Sequence, residues 1–432
     1  MMRFRPLTAS EYTNFVKTAP RLFVQQLPEY AQARTELGSR VEFVGVVEET
    51  PGPDGQAGEP RVLAAASIRY QPWRRFFWRT HIQYGPTIDW SDLPLVKFFF
   101  AGLREYLAKQ KRVLSLRVTP RLDMHTYEDI KIVADNPAAG PALDVLSQIG
   151  FQRVNIEFFD RGDIPGRFIY VKDIAGLDFE EATATLAKGL RRRFHNEGRY
   201  GVTVKFLGPE DFGYLDGLHE STTDRVEGMP TISEDSRRLY ISLMKHLGRE
   251  RSFVCVAFFS PVAYISQLET TREESLARIE VLQERKQTKA RDRELAELDK
   301  TLTHTAEQIA AAQEVHEKYG DNIPINSALG FQCNQELILL LGGMDKRFTQ
   351  FARDYPVERA AFKWACDRQL DIYNTFAVSG IWDETAPDAP VIRFKRWLNG
   401  RVEEYPGTYD LALSPLARPL GAAEGGKTLT TA

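Results

Sequence analysis

The stretch VAYISQLETTREESLARIEVLQERKQTKARDRELAELDKTLTHTAEQIAAAQEVHEKY, Val262 to Tyr319, contains neither glycine nor proline, in a chain of 432 residues with 30 Gly and 23 Pro. Nothing in it interrupts a backbone hydrogen-bond ladder. Its Glu, Lys, Arg, Gln, Ala and Leu all favour helix. Pro261 stands just before the run and Gly320 just after it. Leu295, Leu298, Leu302, Thr305, Ile309 and Ala312 recur at alternating steps of three and four, the spacing of a heptad seam. Leu276, Ile279 and Leu282 form a shorter stripe upstream, and the polar stretch from Arg285 to Arg293 separates the two. As one rod the run would reach roughly 85 Å, as two antiparallel helices roughly 40 Å. The hairpin is expected, because each stripe then covers the other and the chain returns to where it left. A lone surface helix and a dimerising coiled coil are the competing readings.

Outward from this arm, two similar halves are legible. In the first, Val41–Glu48 and Arg61–Ile68 read as strands flanking a Pro/Gly-rich hairpin at 50–60, and Asp92–Gln110 reads as a helix capped by Ser91 or Asp92. Val113–Val118 reads as a strand and Ala142–Gln148 as a helix closed by Gly150. In the second, Phe168–Lys172 and Val202–Phe206 read as strands around a helix at Phe179–Asn196. The helix Asp235–His246 follows, with paired strands at Ser252–Phe259 and Val262–Gln267. Beyond the arm come strands Asn326–Cys333 and Gln335–Leu341, the helix Pro356–Asp367 and the strand Ile372–Ala377. The expected fold is α/β (α+β): two acetyltransferase-like subdomains, not a doubly wound sheet, with an inserted antiparallel coiled-coil hairpin. The expected boundaries are 1–165 for the first subdomain, 166–267 with 320–418 for the second, 268–319 for the arm and 421–432 for a disordered tail.

Bulk properties exclude some classes. The length calls for two or three domains. A net charge of −3 gives no general attraction to nucleic acid, so contact with RNA must be local. Cys255, Cys333 and Cys366 are few, odd in number and far apart, which fits a reducing compartment and neither a disulfide framework nor a zinc site. The N-terminus lacks the apolar core of a signal peptide, and no apolar run approaches the length of a membrane span. A cytoplasmic protein is expected. Neither GxxxxGK[ST] nor a GxGxxG between strand and helix is present. The loop that holds the pyrophosphate of acetyl-CoA is missing too, Gly198-Arg-Tyr-Gly201 being the nearest approach. No cofactor and no metal are expected.

The residues that stand out form an ordered set. Phe23-Val-Gln-Gln26 is followed by Glu29, Tyr30 and Arg34; Tyr84-Gly-Pro-Thr-Ile-Asp89 follows a strand; Leu190-Arg-Arg-Arg-Phe194 leads to Tyr200-Gly-Val202. His219-Glu-Ser-Thr-Thr-Asp-Arg225 precedes Tyr240, and Leu341-Gly-Gly343 precedes Phe348 and Tyr355. Tyr373-Asn-Thr-Phe376 leads to Ser379-Gly380, and Phe394-Lys395 to Glu404-Tyr405 and Gly407. In this order, with the arm before Leu341-Gly-Gly343, the chain resembles the Fem family of non-ribosomal peptidyltransferases, from about Phe23 to Leu413.

The resemblance implies a fold of two acetyltransferase-like subdomains and a transfer reaction. An amino acid passes from aminoacyl-tRNA to the side-chain amine at the third position of a peptidoglycan stem peptide, on a UDP-linked or lipid-linked muropeptide. By matching position, Lys395 is the lysine that faces the ester carbonyl; a strand-edge lysine in the basic run Arg393–Arg396 is the plain alternative. Asp89 is a candidate base or amine-orienting group, against a turn carboxylate after Gly-Pro. Arg225 and, more loosely, Arg34, which stands where the family has lysine, are implied at the diphosphate. Tyr84, Tyr240 and Phe394 are implied in substrate binding, with core packing as the tyrosines' competing role. An aminoacyltransferase with another amine acceptor, or a non-catalytic coiled-coil adaptor, are the rival readings of the whole chain.

The chemistry agrees with this residue set. Aminolysis needs a neutral amine, and a lysine amine titrates near 10.4. A carboxylate beside it takes the proton or orients the group. The oxyanion formed needs a fixed cation or donor. The tRNA ester is already activated, so no covalent nucleophile is required. Lys188, Arg191 and Arg192 share one helical face and read as a tRNA backbone contact, or else as a solvated face. Trp73-Arg-Arg-Phe-Phe-Trp-Arg79 fits a strand buried on both faces better than a peripheral membrane contact.

Overall fold

The computed structural model describes residues 1–49, 60–154, 165–196, 198, 200–223 and 231–424. The Pro/Gly-rich stretch 50–59, Arg225 and residues 425–432 lie outside the described residues. The strands of the first part are β1 (Met2–Pro6), β2 (Arg40–Glu48), β3 (Arg61–Trp73), β4 (Phe77–Gln83), β5 (Val113–Thr119), β6 (His125–Glu128), β7 (Lys131–Asp135) and β8 (Gln152–Arg153). Those that follow are β9 (Phe168–Asp173), β10 (Val202–Leu207), β11 (Ser252–Phe259), β12 (Ile323–Cys333), β13 (Glu336–Met344), β14 (Ile372–Val378), β15 (Arg401–Glu404) and β16 (Tyr409–Ala412).

Two seven-stranded sheets result, in the orders β1-β2-β3-β4-β5-β16-β8 and β10-β11-β12-β13-β14-β9-β15. Each is antiparallel except for one central parallel pair, β4 with β5 and β13 with β14. A parallel pair needs a crossover. The helix Leu93–Ala108 supplies it in the first sheet and Pro356–Asp367 in the second. The Asp92 side chain caps the former, accepting from the Leu95 N–H at 3.0 Å. The two halves are thus one plan used twice, as their sequence order suggested.

Several expectations need correction. Val262–Gln267 is not a strand: Pro261 fits the first turn of a helix, Ser260 caps it, and the helix runs from Pro261 to Gln283. A second helix, Lys289–Tyr319, packs along it, and Arg278 bonds Glu294 at 2.8 Å across the pair. The tip is shorter than the polar stretch suggested, because Thr288 caps the second helix and draws Lys289–Arg293 into it. Thr305, Ile309 and Ala312 of the heptad seam are buried, while Leu276 is exposed and Ser275 takes the inward place. The stretch Phe179–Asn196 divides into Phe179–Ala184 and Lys188–Phe194. β16 leaves the second half and inserts between β5 and β8 of the first sheet. The start of the expected tail is also bound, since the Ser115 hydroxyl donates to the Ala422 carbonyl, and Leu420 just before it accepts from Trp73 Nε1 at 3.0 Å. Trp73–Arg79 is a hairpin tip, not a doubly buried strand, with Phe76 63% exposed.

The halves share a core. Phe23, Tyr30 and Tyr84 of the first pack with Leu243, Leu329, Ile338 and Tyr405. An ionic group lies beside this core: Arg21 bonds Glu336 on β13 (2.7 Å) and Glu403 on β15 (2.6 Å). Arg121 approaches Glu336 at 3.3 Å.

Candidate active site

In the second sheet the parallel pairing of β13 with β14 stops at Ile338 and Asn374, while the strands run on to Met344 and Val378. The sheet opens there. The register of β14 against β9 also shifts between Asn374 and Ala377, and Phe376 has φ +64°. This left-handed backbone is unfavourable for phenylalanine and needs support. Asn374 provides some: its Oδ1 accepts from the Phe376 N–H at 2.7 Å, and its Nδ2 donates to Glu336 Oε1 at 2.6 Å. Lys395 provides the rest. Its Nζ donates to the carbonyls of Thr375 (2.6 Å), Phe376 (3.1 Å) and Ala377 (2.9 Å).

Lys395 therefore stands on a helix, Ala389–Arg396, and not on a strand edge. It is 7% exposed, and burial lowers its pKa to about 8 against the opposing pull of Asp388 and Glu358. An ammonium has three N–H donors, and here each has a carbonyl. Serving an ester oxygen thus requires exchange of one partner. Behind the strand, burial pushes Glu358 up to about 7, while the Tyr373 hydroxyl donates to it at 2.8 Å. A buried lysine at the opening of the sheet, with a near-neutral acid behind the strand, is a combination of perturbed groups that chemistry uses. Sequence reading singled out the segment Tyr373–Phe376 but missed Glu358, which looks like an ordinary residue of a helix.

Gly343 explains the Leu-Gly-Gly segment. A Cβ there would lie 2.4 Å from the His219 N atom, so the helix Gly213–Thr223 can cross β13 only over glycine. His219 Nδ1 meets the Gly342 carbonyl at 3.0 Å.

Phe394 stacks on Tyr355 (4.6 Å, 25°), and the Arg193 guanidinium lies over Tyr355 at 5.2 Å and Trp397 at 5.1 Å. This joins the basic helix Lys188–Phe194 to the helix that carries Lys395. On the former, Lys188 and Arg192 are exposed, and Arg191 donates to the Ala184 carbonyl at 3.2 Å.

The remaining candidates are spread out. Arg34 and Tyr30 lie on the helix Pro28–Glu36, which packs against Glu234–Leu247, the helix of Tyr240. Arg34 donates to the Tyr30 hydroxyl at 2.9 Å. Tyr240 is pushed up to about 12 by burial and by Tyr30, while Arg34 acts the other way. Tyr84 is buried, stacked on Phe23 at 3.9 Å, with its hydroxyl donating to the Gly166 carbonyl at 3.0 Å. That is a packing position, with no free hydroxyl offered to a cleft. Asp89 is exposed and accepts from the Ser91 hydroxyl (2.6 Å) and N–H (2.9 Å), which lower its pKa. Burial raises Cys255, Cys333 and Cys366 above the usual thiol range, so none supplies a thiolate.

Two acetyltransferase-like sheets, one opened beside a buried lysine, define a tandem acyltransferase. The chain belongs to the FemAB family, which it matches over residues 7–421. It is similar to the aminoacyltransferase FemA of Staphylococcus aureus strain MW2, with 25% identity over 431 residues, 98% of this chain and 97% of that one. FemA of strain N315 is equally similar, at 25% identity. A crystal structure of FemX has a TM-score of 0.72 at 17% identity, covering 96% of this chain and 99% of the other, a likeness of fold.

Proposed function

We propose that this aminoacyltransferase takes an amino acid from aminoacyl-tRNA and joins it to the side-chain amine of the third stem-peptide residue of a peptidoglycan precursor. The observation that carries the donor half is the junction of the exposed basic helix with Arg193, Tyr355, Trp397 and Phe394, beside Lys395. Cations that track phosphates and aromatic faces that stack bases suit a single-stranded acceptor end. Lys395 then exchanges one carbonyl for the ester oxygen as charge develops on it. The amine nitrogen forms the amide bond, the ester C–O bond breaks, and the amine proton ends on the ribose hydroxyl. The acceptor's place is between Arg34 of the first half and Tyr240 of the second, with Arg225 as a diphosphate ligand. The exposed tip at Phe76, beside Arg74 and Arg75, is the place for a peripheral contact with the inner membrane face when the acceptor is lipid-linked. Among the described residues no helix is long and apolar enough to cross a membrane.

The test combines the protein, a mixture of charged tRNAs and a lysine-containing muropeptide in UDP-linked and lipid-linked forms. A mass gain of one aminoacyl group on either form is expected. No gain with any charged tRNA on either form rejects the reading.

Asp89 has a narrower expectation. A carboxylate held below its usual range by Ser91 is a poor base but a good partner for an ammonium. Asp89→Asn is expected to raise KM for the muropeptide by about tenfold and to change kcat by less than about threefold. A kcat loss of about 100-fold at unchanged KM would instead make it the base.

A further inference from the structure

Three carbonyls hold the Lys395 ammonium, and one rigid group positions the nearest of them. The peptide between Thr375 and Phe376 is planar and trans, so its C=O and N–H point to opposite sides and turn only together. Its C=O, that of Thr375, accepts from Lys395 Nζ at 2.6 Å, against 2.9 and 3.1 Å for the Ala377 and Phe376 carbonyls. Its N–H, that of Phe376, donates to Asn374 Oδ1 at 2.7 Å. The asparagine and the lysine thus grip the same peptide group from its two sides. A side chain that accepts from the N–H two residues on makes a local turn, and this one holds Phe376 at φ +64°. Without it the peptide is free to rotate toward the negative φ that phenylalanine prefers, and the Thr375 carbonyl leaves the lysine.

Asn374 is held in turn. It is 0% exposed, and its Nδ2 donates to Glu336 Oε1 at 2.6 Å, which points its oxygen, not its nitrogen, at Phe376. Glu336 is also fully buried and is surrounded by donors. Arg21 Nη2 reaches the same Oε1 at 2.7 Å, and Arg21 Nε and Arg121 Nη2 reach Oε2 at 3.0 and 3.3 Å. Both arginines come from the first half. The segment that carries Arg21 is fastened to the turn before β13: the Gln335 N–H donates to the Pro20 carbonyl at 3.2 Å, and Asn334 Nδ2 to that of Ala19 at 2.6 Å. The Phe23 ring, from the same segment, lies 6.4 Å from that of Phe376.

We infer that Asn374 and Glu336 are positioning residues for the transfer reaction: they fix the Thr375–Phe376 peptide group and so aim the Lys395 ammonium, and Arg21 anchors this support to the first half. Neither touches substrate in this role; both act through the lysine. The joint between the halves is therefore also a part of the transfer machinery. The aim of the ammonium at an ester oxygen rests on the function proposed above; the grip of Asn374 on the lysine's peptide group does not.

The first test is a mutant cycle in the transfer assay with the full chain. Asn374→Ala is expected to lower kcat by about tenfold or more, while KM for the muropeptide stays within about threefold of the wild type. In the Lys395→Met background the same change is expected to alter the residual rate by less than about threefold, because the group it aims is gone. Losses that multiply, or an Asn374→Ala enzyme with wild-type kcat beside an inactive Lys395→Met, overturn the inference and leave the lysine's role standing. The reciprocal exchange tests the bond itself, whatever the stability of Asn374→Ala. Asn374→Asp alone sets two carboxyl groups against each other; with Glu336→Gln the amide donates from the other side, and the aspartate still accepts from the Phe376 N–H. A recovery of at least about fivefold over Asn374→Asp is expected, and no recovery overturns the inference. A last measurement needs no turnover: labelling of Lys395 by an amine-reactive ester, read by peptide mass spectrometry. Release of the Thr375 carbonyl is expected to speed it by about threefold or more in Asn374→Ala, with Lys172, buried on the neighbouring strand β9, unchanged. Unchanged labelling of Lys395, or a rise at both lysines, overturns the inference. Faster labelling of Lys395 alone in a chain that transfers nothing keeps the positioning and rejects the proposed function.

Discussion

Lys395→Met is expected to lower aminoacyl transfer by about 100-fold or more, while muropeptide binding stays within about threefold of the wild type. Removal of one preorganised donor to an oxyanion has effects of this size. The substitution also strands the carbonyls of Thr375, Phe376 and Ala377, which the ammonium now gathers. Each buried carbonyl left without a donor costs about 1–3 kcal/mol, so the melting temperature should fall as well. Activity and stability can be separated by pH. The folded state releases the Lys395 proton near pH 8, the unfolded state near 10.5. Between these values the unfolded chain holds more protons, so wild-type stability gains from this group as pH rises through the window. Lys395→Met lacks that gain. Transfer should rise with pH as the acceptor amine loses its proton, then flatten above about 8 as Lys395 loses its charge. Glu358 has the opposite window. Its stabilisation is full below about 4.5 and is lost as pH rises through about 7. Single-turnover rates and thermal melts across pH 5–10 check these statements. A Lys395→Met enzyme that turns over within about threefold of wild type would remove the lysine from the chemistry.

The second large effect is on stability. Arg21→Ala is expected to destabilise the fold by about 3–5 kcal/mol. Glu336 is 0% exposed, and Arg21 grips it through Nε and Nη2 (3.0 and 2.7 Å) while holding Glu403 through Nη1 and Nη2 (2.6 and 3.0 Å). Removal leaves two buried carboxylates with Arg121 and Arg401 as their remaining cations. Burial pushes Glu403 up, but Arg21, Arg121 and Arg401 together hold it below its usual range. A depressed carboxylate stabilises above its unfolded pKa, and the benefit is lost as pH falls through the folded value. The gap between wild type and Arg21→Ala should therefore be widest near neutral pH and narrow below about pH 4. Denaturant midpoints at pH 7 and about pH 3 measure it. A gap that is equal at both pH values would mean that packing, not charge, accounts for the loss.

Local signals in the sequence are faithfully kept. Pro356 opens a helix at the residue where it was expected, Asp92 caps another, and Gly150 ends a third with φ +110°. Each acts on backbone groups a few residues away, so its effect does not depend on the rest of the fold. Val262–Gln267 misled, because β-branched and aromatic residues also suit a buried helix start, and Pro261 with the Ser260 cap decided the matter. The motif Phe394-Lys395 was legible in the sequence, but neither its helix nor the backbone carbonyls the lysine holds, on a strand some twenty residues away, could be read from it. The polar alternation Arg79, His81, Gln83 was visible on a strand and carried a signal, a buried polar face, that was not drawn from it.

By itself the sequence determined two repeated α/β halves, the helical insert between their strands and the family to which the motifs belong. Those features rest on periodicity, caps and breakers, which act over short distances. The tertiary structure alone decided that β16 crosses to the first sheet, that Arg21 meets Glu336 and Glu403 across separations of 315 and 382 residues, and that His81 is buried without a hydrogen-bond partner among the described residues. Such contacts depend on which surfaces meet once the sheets have formed. No spacing within one segment records them. The glycine- and proline-free run fixed where the insert lies; the opening of β13 from β14, held by Lys395, fixed where the chemistry is proposed.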